Sequence, residues 1–193
     1  NFSNNKHLSS ITASSATIDT LIENKHAVQA YGGTIILSAK AVNQLVSGII
    51  NQEGLLNAGS DAFEVVKIGG RILLSGDRVL LAENSITTAN SLQSGGEISI
   101  EAHKLIADES STVDVSASRQ GNGGIIDVET SHFELSGRFF ANGGVDLGNG
   151  GQINISSDSL LATDTALIQA GSLITEGSPG SVSISTSLIN STP

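Results

Sequence analysis

Five side chains of this sequence could act together chemically, and their spacing from paired glycines is what groups them. Glu101 and Glu129 each stand five residues after the second glycine of a Gly-Gly pair, Gly96 and Gly124, and Asp127 precedes Glu129 by two. Residues two apart on a strand share a face, so the three carboxylates meet on one face if the two segments are neighbours. Hard oxygen ligands in such a set suit Ca²⁺. Ser75 and Ser156 hold the same place after the flanking glycines. That substitution favours a solvated acidic face without metal over a calcium cluster. His103 and His132 follow their glycines by seven and eight residues, close but out of register. Imidazoles so placed could share a transition metal; two independent surface histidines are the simpler reading. Cysteine is absent, which excludes a thiolate nucleophile. No Gly-x-Ser-x-Gly elbow occurs either.

The frame that must position these groups is a repeat. Gly33, Gly70, Gly96, Gly124, Gly151 and Gly180 are 37, 26, 28, 27 and 29 residues apart. Near-constant spacing in this range marks a stack of similar units. The segments TIILS, RILLS, EISIE, IIDVE, QINIS and SVSIS follow the markers, with an aliphatic residue at every second and fourth position. Period-two alternation is the signature of a half-buried strand. A second apolar ladder lies nine residues past each marker: Val42, Val79, Leu105, Phe133, Leu160, Ile189. A third pairs a usually apolar residue with Ala two later, as in Val28 and Ala30, Leu56 and Ala58, Thr87 and Ala89, Val115 and Ala117, Phe139 and Ala141, Ile168 and Ala170. Three inward strands per unit predict an all-β fold, a right-handed parallel β-helix with three faces and coils of about 27 residues. An antiparallel sandwich would not need the same residue classes, position by position, in every unit.

Composition agrees with this frame. Trp, Met and Cys are absent and aromatics are 3%, so Ile, Leu, Val and Ala must fill the core. Nine basic and 19 acidic residues give a net charge of −10. No clustered Lys or Arg can neutralise phosphates, so nucleic acid is excluded as a partner, and no apolar run is long enough for membrane insertion. No cofactor is implied. Residues 1–31 read as a polar stretch and a partial coil, and residues 32–193 as coils with an insertion or an extra coil around 43–68. That stretch carries apolar residues beyond the ladders' needs, among them Leu45, Ile49 and Phe63. An added coil continuing the core is the simpler expectation; a local cap or contact surface is the other. The chain begins at Asn1 without a leader-like segment, and the expectation is a piece of a longer exported protein.

Three stretches, VQAYGGTIILSAKAVNQLVSGIINQEGLLNAG, GGRILLSGDRVLLAENSITTA and GNGGIIDVETSHFELSG, resemble filamentous-haemagglutinin-like exoproteins of two-partner secretion systems, in particular the high-molecular-weight adhesin group. The resemblance spans roughly residues 28–170 and rests on structural positions. The Asn-Pro-Asn-Gly segment of that family's secretion domain is absent, which places the chain downstream of it. The resemblance implies a non-enzymatic segment of a secreted or cell-surface bacterial adhesin, active in adhesion, biofilm or contact-dependent interaction. It also implies export through an outer-membrane two-partner secretion transporter and a host or neighbouring-cell surface protein or glycan as partner. Two other readings stay open: a β-helical polysaccharide lyase or hydrolase, and a capture module for a host or rival-cell protein. The hydrolases of this architecture carry paired aspartates and a Gly-His-Gly turn, and this chain has neither. Asn154 and Asn190 sit in Asn-x-Ser/Thr patterns that could accept a sugar. Phe139 and Phe140 are adjacent, so on a strand one must point outward, and Phe140 is a further binding candidate.

Overall fold

The computed structural model describes residues 8–12, 20–39, 48–60 and 69–191. The first coil holds β1 (Leu8–Thr12), β2 (Thr20–Asn24) and β3 (Ala27–Gln29), and the second β4 (Thr34–Ala39), β5 (Gly48–Gln52) and β6 (Leu55–Asn57). Each later coil has one long and one short strand: β7 (Arg71–Leu81) and β8 (Ile86–Thr88), β9 (Glu97–Ala107) and β10 (Thr112–Asp114), β11 (Ile125–Leu135) and β12 (Arg138–Phe140), β13 (Gln152–Ala162) and β14 (Leu167–Gln169). The series ends with β15 (Ser181–Ser191). Among the described residues there is no helix. Every pairing is parallel and joins equivalent strands of adjacent coils, so the chain is a β-solenoid.

The first ladder holds as the alternation predicts. Ile35, Ile72, Ile98, Ile126, Ile153 and Val182 are successive rungs. All but the last are fully buried; Val182, in β15, is 46% exposed. Burying each such side chain contributes about 2 kcal/mol, a gain repeated at each of the buried rungs.

The long strands turn a corner midway. In β9 the inward residues are Ile98 and Ile100, then Leu105 and Ala107, so the inward parity switches along one strand. Pairing lapses at the switch: Thr130 pairs with Ala102 and His132 with Lys104, while Ser131 and His103 have no ladder partner. One strand thus lines two faces, and the short strand lines the third.

Glycine is required at the opposite corner because the backbones approach too closely for a side chain. A Cβ on Gly124 would overlap the carbonyl oxygen of Gly96, and one on Gly151 that of Gly124. Those carbonyls accept hydrogen bonds from Ile125 N and Gln152 N, so the contact is part of the ladder.

Three expectations need correction. Ile35 pairs with Ile72 and Ile50 with Val79. Residues 34–70 are therefore one coil, with no added coil between β4 and β7. Its extra length falls at 40–47 and 61–68, outside the described residues, where Val42, Leu45 and Phe63 also lie. Ile50, which pairs with Val79, takes the second-ladder rung assigned to Val42. In the third ladder, Val113 and not Val115 pairs with Thr87 and Phe139. Val115 instead stands where the neighbouring coils carry Ala89 and Ala141.

Candidate functional site

The midstrand corner runs along the solenoid as a groove of 480 Å³. Its floor is a column of small residues six positions past the markers, Ala102, Thr130, Ser157 and Thr186, which Gly76 continues in register beyond the groove. A larger side chain there would obstruct the bend. The threonine hydroxyls also take up hydrogen bonding where the ladder lapses. Thr130 Oγ1 donates toward His103 O at 3.3 Å and His132 O at 3.1 Å, and Thr186 Oγ1 toward Leu188 O at 3.0 Å. Ser157 Oγ is buried with no hydrogen-bond partner. The walls are Glu129, Ser156 and Ser185 on one side and Ser131, Asp158 and Ser187 on the other. The result is a hydroxyl-rich, mildly acidic trough. The repeated small residue at marker plus six is the signal that would have disclosed it.

Of the carboxylates singled out by spacing, Glu101 and Glu129 are in register on adjacent coils, flanked by Ser75 and Ser156. Ser75 Oγ donates to Glu101 Oε2 at 3.3 Å. Asp127 is held by Asn154, whose Nδ2 donates to Asp127 Oδ1 at 2.7 Å. No group of three or more His, Cys, Asp or Glu side chains is placed to hold a metal among the described residues. The bond from Asn154 to Asp127 also engages the amide that a sugar at Asn154 would use. Asn190 belongs to β15.

His103 and His132 do come together. Their ring centres are 5.5 Å apart in a T-shaped arrangement, and His132 Nδ1 lies 2.7 Å from Ser159 Oγ. Lys104, opposite His132 in the ladder, pairs with Glu134 at 2.6 Å.

Of the apolar candidates, Ile49 is half-buried, between Leu21 and Arg78. Phe139 is fully buried, edge to face with Phe133 at 5.8 Å, and Phe140 is the outward member, half-buried. A feature that sequence reasoning missed is a buried amide pair. Asn24 Nδ2 donates to Gln52 Oε1 at 2.8 Å and to Leu55 O at 3.1 Å, and Gln52 Nε2 donates to Gly54 O and Ile86 O. A scan against protein-family models and a search of curated proteins give no match to this chain.

Proposed function

We propose that this chain is a non-enzymatic β-helical segment of a secreted bacterial adhesin-type exoprotein, a shaft that also presents a binding surface to host or neighbouring cells. The observation that carries the reading is the unbroken register from β7 to β15. Ten paired positions per step between β9 and β11 make a stiff rod whose outward columns repeat at the strand spacing of about 4.8 Å. A stiff rod holds recognition elements away from a cell. The resemblance to two-partner secretion exoproteins supports export through an outer-membrane transporter.

The hydroxyl-rich corner groove favours a glycan as the surface partner, since repeated hydroxyls and carboxylates offer hydrogen bonds along an extended polyol. Beads coated with the chain should attach to target cells above the level of bare beads, and Ser156→Arg with Ser185→Arg should reduce attachment by filling the groove. Attachment no better than that of bare beads would sink the proposal. A polysaccharide hydrolase or lyase is the second reading, because Glu129 and Asp158 both line the groove. Turnover of pectate, alginate or glycosaminoglycans that Glu129→Ala abolishes would establish it instead.

A further inference from the structure

We propose that His103 and His132 form a two-imidazole site for a first-row divalent transition metal such as Zn²⁺, on the outer corner of the solenoid. Two imidazoles sharing one ion at about 2.1 Å from each nitrogen, near the tetrahedral angle, have ring centres about 5 Å apart. The observed separation is 5.5 Å. Ser159 holds one nitrogen of the His132 ring. The bond joins His132 Nδ1 to Ser159 Oγ, and donation from Nδ1–H leaves the Nε2 lone pair for the metal. A hydrogen bond at the non-ligating nitrogen is the usual support of a metal-bound histidine. His103 presents the other ring, and turning it about its soft Cβ–Cγ torsion points its nitrogen at the same spot without moving the ring centre far.

The scaffold keeps the pair together. His103 and His132 sit on β9 and β11, which are locked in register on both sides of the corner. Both are exposed, so the ion has an open path. Lys104, the ladder neighbour of His132, is engaged by Glu134, which offsets its repulsion of a dication. With only two protein ligands, water completes the coordination. Imidazole ligands select Zn²⁺, Ni²⁺ or Cu²⁺ over Ca²⁺ or Mg²⁺.

Calorimetric titration of the chain with ZnCl₂ tests the site, with the folded state of each variant checked by thermal melting. His103→Ala and His132→Ala should each weaken Zn²⁺ binding by about tenfold or more, because the second, pre-positioned ligand raises the effective concentration of the first. His26→Ala, remote in sequence from the pair, should leave binding unchanged. CaCl₂ should give no heat at the concentration that saturates Zn²⁺. Binding that survives in either single variant, or that falls equally in His26→Ala, overturns the proposal.

Discussion

The first two coils and the coils that follow solve one packing problem in two ways. From β7 onward a single 11-residue strand lines two faces. Its inner column past the corner is apolar, with Leu81, Ala107 and Leu135 in consecutive coils. In the first two coils the same path is divided between two strands, and Asn24 and Gln52 occupy that column. Gln52 is fully buried and Asn24 is 8% exposed. The regular coils gain stability by transfer of apolar surface, which tolerates small shifts. The early coils rely on directional hydrogen bonds, which fix one geometry and penalise any partial loss. A translational stack therefore does not require uniform chemistry; it requires that each rung match its neighbours.

The largest expected effect strikes what both regions share, the glycine corner. Gly124→Ala should cost about 3 kcal/mol, because its Cβ would overlap the backbone of Gly95 and Gly96. Gly171→Ala, whose Cβ would meet only side-chain atoms from 3.4 Å outward, should change stability by less than about 0.5 kcal/mol. Urea denaturation of the two variants makes the comparison. Equal effects would mean that the corners are looser than the stacked carbonyls imply.

The amide pair is the next test. Gln52→Leu removes a partner of Asn24 Nδ2 and should cost about 2 kcal/mol, the penalty of a buried polar group left short of bonds. Asn24→Leu together with Gln52→Leu turns the early column into the later kind and should recover more than half of that loss. A double variant as unstable as the sum of the singles would show that the pair is not a closed unit.

Much of this arrangement was legible in the sequence, and the gaps have physical causes. The first ladder could be read because its rungs alternate strictly beside recurring glycines. The second failed at Val42 because a ladder counted from the glycine assumes one constant offset, whereas the offset to the next coil changes between the pairs Ile35 with Ile72 and Ile50 with Val79. The third slipped at Val115 because Val113 and Val115 both suit an inward place, and only the pairing with Thr87 and Phe139 separates them. The corner groove escaped because its column is small rather than apolar, and the amide pair because Asn and Gln read as outward residues until their partners are seen. The histidines were legible as neighbours, but their ring contact depends on one strand bending.

Thr87 sharpens the contrast within the regular coils. It stands between Leu56 and Val113 in the third ladder, 1% exposed, and its Oγ1 has no hydrogen-bond partner. Unlike the early amides, this polar group is buried without compensation. Thr87→Val should therefore stabilise the fold by about 1 kcal/mol, seen as a higher denaturation midpoint with an unchanged slope. A loss of stability would imply that the hydroxyl is satisfied in solution.

The smallest effect concerns the turn that follows the second face, where the two regions differ in charge. The early turn carries Lys25 beside Glu23 at 3.3 Å. In the regular coils the turn column stacks Ala82 below Asp108, with Glu83 nearby. The Asp108 carboxyl is held above its ordinary value of 3.8, first by desolvation, then by repulsion from Glu83 and Glu134, with Arg78 opposing. A carboxyl with a raised folded-state pKa keeps its proton in the native state at pH values where the unfolded chain has lost it. Stability then falls as pH rises through that window and stays lower above it. At neutral pH the ionised Asp108 is a small liability, screened because the side chain is only half-buried. Asp108→Asn should raise the melting temperature slightly at pH 7, and the difference should vanish below the ordinary carboxylate range, where Asp108 is protonated in both states. Melts of the two proteins from pH 7 down to pH 3 make the comparison. A gap that persists at the acid end would assign the gain to packing or hydrogen bonding of the amide rather than to relief of a desolvated, repelled charge.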